Sequence, residues 1–140
     1  MKIYETELND ELLHRLIDLS AKWEAEGSCY GYRTNGREDI EGNRIFIADD
    51  DGVVVGYLLG HEEKSKNAKS IMPDETPYFE IDEIYVLPEN RSQGIGKALF
   101  SFVEQEVKQT MWMNIQEIKA LFDDNKLVNT LSYFFSEIHK

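Results

Sequence analysis

Ile84-Tyr85-Val86-Leu87-Pro88-Glu89-Asn90-Arg91-Ser92-Gln93-Gly94-Ile95-Gly96-Lys97-Ala98-Leu99 reads as a strand that stops, a tight loop, and the opening of a helix. Upstream, Tyr78 to Leu87 is rich in β-branched and aromatic residues, as a strand wants. Pro88 has no N–H for a ladder, so the strand ends there. Beyond the glycines, Ile95, Ala98, Leu99, Phe102, Val103 and Val107 recur at helical spacing, with charged and polar residues between them. The first N–H groups of a helix have no intrahelical acceptor and carry partial positive charge. Glycines there let an anion come close to the backbone, and a phosphate or pyrophosphate is the natural occupant.

Three phosphate motifs compete for this stretch. A Walker A loop fails, because Ala98 stands where Ser or Thr should follow Lys97, and Arg91 stands at the first glycine. A dinucleotide fingerprint fails at Leu99, where its last glycine should be. The pattern Arg/Gln-x-x-Gly-x-Gly/Ala after Val-x-Pro fits Arg91 to Gly96. Here the chain resembles the GNAT family of N-acetyltransferases, well over residues 43 to 108, loosely before and poorly after.

Length and composition frame this. One domain covering 1–140 is expected. Lys and Arg number 15 against 27 Asp and Glu, net −12, which argues against a nucleic-acid partner and suits a cationic one. No apolar run is long enough to span a membrane, and Met1 to Glu5 is no signal region. Cys29 is the single cysteine, so an intrachain disulfide and a Cys cluster for zinc are excluded, and a cytoplasmic setting is the default. No metal is expected. A homodimer is compatible with the sequence.

In chain order, Lys2 to Thr6 is a candidate strand and Asn9 or Asp10 caps a helix carrying Leu12, Leu13, Leu16, Ile17, Leu19 and Trp23, ending near Gly27. Ser28 to Glu41 is an irregular polar connection. Arg44 to Ala48 and Val53 to Leu59 are two strands around the hairpin signal Asp49-Asp50-Asp51-Gly52, which lacks the spacing of a calcium loop. His61 is expected in solvent, and Glu62 to Pro77 as a polar loop. Lys119 to Phe122 is a further candidate strand and Leu127 to Ile138 a last helix. This is a mixed α/β (α+β) order. The resemblance implies a central, mostly antiparallel, splayed sheet flanked by helices.

The resemblance also implies chemistry. Ile84, Tyr85 and Val86 would pair with the pantetheine arm of acetyl-CoA. Arg91, Gln93, Gly94, Ile95, Gly96 and Lys97 would meet the pyrophosphate. An acceptor amine would attack the thioester directly. Freeing a lysine-like amine at pH 7 costs about 4.6 kcal/mol, so a general base is needed. Glu80, fourteen positions before Gly94, stands close to the catalytic glutamate of the histone-acetyltransferase branch. Strand alternation puts Glu80, Asp82, Ile84 and Val86 on one face and Glu83 with Tyr85 on the other; Glu83 is the second candidate base. Many family members protonate the leaving thiolate from a tyrosine in the last helix, and Tyr133 lies one step from that position. The implied function is transfer of acetyl from acetyl-CoA to a primary amine of a small molecule or protein. The alternative is a catalytically impaired acyl-CoA-binding module of the same fold. A nucleotide-binding protein using the same helix N-terminus is a third reading.

Overall fold

The computed structural model describes residues 1–64, 77–107 and the backbone of 112–113. The chain divides into two compact units, Met1–Leu59 with Glu83–Phe102, and Gly60–Asp82 with Val103–Lys140. The first unit opens with β1 (Lys2–Thr6), where the sequence places it. Asn9 then caps α1 (Asp10–Glu26), its side chain accepting from the Leu12 N–H at 2.8 Å, and Gly27 ends the helix at φ 65°. The helix turns Leu13, Leu16 and Leu19 inward. Arg15 ties it to the sheet by donating twice to the Val54 carbonyl, at 3.0 and 2.8 Å.

The connection from Ser28 contains one helical turn, α2 (Arg37–Ile40), closed by the Asp39 carboxylate accepting from the Gly36 N–H at 2.8 Å. Strands β2 (Arg44–Asp50) and β3 (from Val53) follow. Asp51 and Gly52 between them both have positive φ, 52° and 90°, and Asp49 Oδ1 accepts from the Gly52 N–H, so the aspartates build a hairpin turn. β1 pairs antiparallel with β2, Tyr4 opposite Ile47. Within this unit the sheet order is β1, β2, the start of β3 and the end of β4. Ile45, Phe46, Ile47, Tyr57, Leu58, Leu99 and Phe100 are buried in it.

The second unit corrects the two ends of the expected Glu62 to Pro77 loop; 65–76 lie outside the described residues. β3 runs on to Lys64, so His61 and Glu62 lie inside a strand, and β4 (Pro77–Val86) already begins at Pro77. Gly60 permits this close pairing: a Cβ there would meet the Phe79 ring at 2.5 Å and the Glu80 carbonyl oxygen at 2.6 Å. In this unit β3, β4 and the short parallel β5 (Trp112–Met113) are adjacent in that order, with Tyr78 opposite Trp112. The order of strands and helices is the mixed α/β arrangement expected, an open antiparallel sheet of four strands with helices. Among the described residues no helix is long and apolar enough to cross a membrane.

Candidate functional site

The first unit holds the anion loop. After β4, the segment Pro88–Asn90 forms a 3-10 turn. Ser92 and Gly94 then take positive φ, 65° and 81°, and α3 runs over Ile95–Val107. The Ala98 N–H donates to the Gly94 carbonyl at 2.9 Å, so Gly94 is the residue before the first turn. The N–H groups of Ile95, Gly96 and Lys97 therefore precede the first intrahelical bond. Gln93, Gly94 and Lys97 are exposed, whereas Ile95 is buried and anchors the turn.

The two glycines differ in why they are glycine. Gly94 needs the left-handed backbone. Gly96 does not: its φ is ordinary, and an added Cβ would come no nearer than 4.0 Å to Val86 Cγ2. Glycine in a helix costs up to about 1 kcal/mol against alanine, and nothing among the described residues requires it at 96. An anion approaching the backbone supplies a reason, so the loop fits a pyrophosphate.

At the end of β4 the Leu87 N–H donates to the Val55 carbonyl at 2.9 Å. Alternation then aims the backbone groups of Leu87 and Tyr85 at β3, and those of Ile84 and Val86 at the opposite edge. Val86's carbonyl accepts from Arg91 Nε at 2.8 Å. The remaining outward groups of Ile84 and Val86 are those suited to an extended ligand.

Arg91 and Tyr85 are engaged elsewhere. The Arg91 guanidinium grips Glu26 through Nη1 at 2.8 Å and Nη2 at 3.0 Å. It also lies 5.3 Å from the centre of the Tyr85 ring. The Tyr85 hydroxyl donates to Glu26, and Trp23 stacks on both Tyr85 and Tyr32. Burial pulls the Glu26 carboxyl up, but the hydrogen bonds from Arg91 and Tyr85 outweigh it and hold the carboxyl below its usual value. Arg91 thus fastens the loop to α1 and β4, a role the motif alone did not disclose. Lys97 makes no ion pair with a described residue.

Glu83 also belongs to the first unit. Its Oε1 accepts from the Tyr57 hydroxyl at 2.9 Å, Asn35 Nδ2 at 3.0 Å and the Tyr32 hydroxyl at 3.1 Å. Tyr32 and Ser20 hydroxyls are 2.6 Å apart, and the Asn35 N–H donates to Ser20 Oγ. Burial pushes the Glu83 carboxyl above its usual value, against the lowering effect of Asn35, Tyr57 and Tyr32. This carboxylate clasps the 28–36 connection to β3 and β4.

The second unit gathers Glu80 with residues from β3. Glu80 Oε2 lies 3.0 Å from His61 Nε2, Asp82 Oδ2 2.9 Å from His61 Nδ1, and Glu63 Oε2 3.5 Å from Nε2. Partial burial lowers the imidazole's pKa, but the Asp82 hydrogen bond and the charges of Asp82, Glu80 and Glu63 outweigh it and raise it above the ordinary histidine value. Burial also raises the Asp82 carboxyl, against the lowering effect of His61. His61 is 29% exposed and Glu80 27%, so a small molecule can reach both. Ligand atoms of His61, Glu80 and Asp82 lie within 4.8 Å of one another, a spacing open to a cation, ammonium or metal. The expectation that His61 is solvated is thereby corrected. The signal was available: His61 and Glu63 share one face of β3, as Glu80 and Asp82 share one of β4, but only if β3 continues past Gly60. Tyr133, the candidate general acid, lies outside the described residues, as do Lys119 to Phe122 and the last helix.

The chain belongs to the acetyltransferase (GNAT) family, whose sequence model matches residues 8–128. An acetyltransferase structure from Vibrio fischeri is similar at 23% identity and TM-score 0.62, covering 80% of this chain and 90% of that one. An aminoglycoside N-acetyltransferase solved in complex with CoA matches at 20% identity and TM-score 0.57, over 96% of this chain and 89% of that one. A ribosomal-protein-alanine N-acetyltransferase from Brucella melitensis biovar Abortus matches at 19% identity and TM-score 0.56, over 80% and 75%. At these identities the likeness is one of fold. No curated protein matches the sequence.

Proposed function

We propose that this chain is one GNAT-like domain that transfers the acetyl group of acetyl-CoA to a primary amine of a cationic small-molecule or protein acceptor. The observation that carries the reading is the open first turn of α3, with a glycine at 96 that no contact among the described residues and no backbone angle explains. In this reading the N–H groups of Ile95 to Lys97 receive the pyrophosphate, Lys97 adds charge, and Ile84 and Val86 offer edge groups to the pantetheine arm. Arg91 keeps the loop in shape rather than touching phosphate.

The acceptor amine attacks the thioester carbonyl, forming C–N and breaking C–S. Glu80 is the candidate general base for the amine's proton, because it is within reach of solvent. Glu83 is the weaker candidate, since its Oε1 already takes three internal hydrogen bonds. Family membership and the CoA-bound neighbour support acetyl-CoA as donor. The acidity of the chain, net −12, supports a cationic acceptor.

A thiol-release assay with acetyl-CoA across a panel of diamines, aminoglycosides, amino acids and peptide N-termini tests this. Turnover with at least one amine is the expected result. Acetyl-CoA binding with no turnover on any of them would favour a binding module, and tighter binding of ATP than of acetyl-CoA would favour a nucleotide site.

A further inference from the structure

Two residues of β3 and two of β4, all within the second unit, bring their side chains to one place. His61 Nε2 lies 3.0 Å from Glu80 Oε2 and 3.5 Å from Glu63 Oε2, and His61 Nδ1 lies 2.9 Å from Asp82 Oδ2. We propose that this face of the β3–β4 pair binds one divalent transition-metal ion of the zinc type, with His61 Nε2, Glu80 and Glu63 as ligands and Asp82 as the positioning residue at the ring's other nitrogen. The inference is independent of the transferase reading and uses no group of the first unit.

Charge is the first argument. Among the described residues, the ion-pair partner of Glu63, Glu80 and Asp82 is this one imidazole. In either protonation state it brings at most one positive charge to three carboxylates. Like charges side by side on paired strands weaken the pairing, and a dication supplies the missing counter-charge.

Spacing is the second. Zinc bonds to nitrogen and oxygen of about 2.0–2.2 Å, set tetrahedrally, hold two donors about 3.4 Å apart. The separations of 3.0 and 3.5 Å from Nε2 to the two glutamates bracket that value. A metal on Nε2 takes that nitrogen's lone pair and leaves the ring's hydrogen on Nδ1, where Asp82 is at the distance of its acceptor. A carboxylate at the far nitrogen is the usual companion of a metal-bound histidine, because it fixes the ring's orientation.

The donor set selects the ion. Imidazole nitrogen with carboxylate oxygens suits zinc and its first-row neighbours, whereas magnesium and calcium prefer oxygen alone. Three protein ligands leave a fourth position for water or a small anion. His61 is 29% exposed and Glu63 51%, so an ion has a way in. The ligands stand on strands rather than on a loop, which holds them in place. Gly60, by admitting the Phe79 ring, lets the two strands approach closely beside them.

The test uses the untagged full chain, stripped of metal by chelator and gel filtration, with zinc chloride as the probe. Calorimetry is expected to show one equivalent bound. In NMR of the wild type, the first equivalent should move the His61 Nε2 resonance and leave His14 and His139 in place. His61→Gln and Glu80→Gln should each weaken zinc binding at least tenfold, Cys29→Ser should bind as wild type does, and magnesium or calcium at the same concentration should not compete. No binding at the first equivalent, wild-type affinity in His61→Gln, a shift at Nδ1 in place of Nε2, or calcium binding as tight as zinc would each overturn the proposal. The NMR titration is made on the wild type, so it decides even where a variant fails to fold. Thiol release enters neither result, and the transferase reading stands or falls separately.

Discussion

Replacing each loop glycine by valine separates backbone need from ligand need. At Gly94 the backbone has φ 81°. A β-branched residue there is held in left-handed space, at a cost of about 1–2 kcal/mol. For a chain of this size that corresponds to a fall in Tm of roughly 5–10 °C. At Gly96 the first heavy atom a Cβ meets is Val86 Cγ2 at 4.0 Å, and φ is unexceptional. Valine is slightly the better helix former, so Gly96→Val should change stability by less than about 0.5 kcal/mol. Both side chains would stand where the pyrophosphate meets the helix N-terminus, and each variant should lose at least about tenfold in acetyl-CoA affinity, about 1.4 kcal/mol. Thermal unfolding and calorimetric titration with acetyl-CoA read the two quantities independently. A Gly96→Val protein as stable as wild type and binding acetyl-CoA equally well would refute the placement of the anion at this turn.

The other expectations concern the contacts around that loop and strand. Glu83→Ala should destabilise the protein by about 2–4 kcal/mol in chemical denaturation, because it leaves the buried Tyr57 hydroxyl and Asn35 amide without their acceptor; Glu83→Gln, which keeps an acceptor oxygen, should lose less. Arg91→Gln and Glu26→Gln should each weaken acetyl-CoA binding without reducing its salt dependence, and the double variant should be no worse than either, if Arg91 acts through Glu26; a reduced salt slope in Arg91→Gln would instead make it a phosphate ligand. The Glu26 carboxyl is held below its usual value, so its stabilisation is present above pH 4.5 and is lost as pH falls through the folded pKa. Wild type should therefore exceed Glu26→Gln in stability at neutral pH and converge with it in acid, as followed by urea titrations at several pH values. Glu80→Gln should lower kcat at neutral pH far more than it changes acetyl-CoA affinity, measured by steady-state kinetics and calorimetry.

Where the chain's own local chemistry decides structure, the sequence is readable. Asn9 and Gly27 bracket α1 because one supplies a cap oxygen and the other tolerates φ 65°. Asp51-Gly52 closes a hairpin because both residues accept positive φ. The strand, Pro88, the glycines and the apolar stripe after Ile95 announce β4, the loop and α3 for the same reason. What escaped was set by partners distant in the chain. Gly60 followed by His61-Glu62-Glu63-Lys64 has the composition of a loop, yet the glycine is there to admit the Phe79 ring, and the strand continues. Arg91 matches a motif position associated with phosphate, yet Glu26, sixty-five residues earlier, takes its guanidinium.

The acids of β4 look interchangeable in sequence, and alternation along the strand makes them different. Glu83 points at Tyr57, Tyr32 and Asn35, where hydrogen bonds can hold a carboxylate but no acceptor amine is needed. Glu80 and Asp82 point at a histidine. An imidazole is a stronger proton acceptor than a carboxylate. Passing a proton from an amine of pKa ~10.4 to a solitary carboxylate is uphill by about 8 kcal/mol, and to an ordinary imidazole by about 5 kcal/mol. The difference of about 3 kcal/mol is roughly a hundredfold in rate if fully expressed, the lower end of what general-base catalysis supplies. The same acids that raise the imidazole also raise the pKa of a bound ammonium, which opposes its deprotonation.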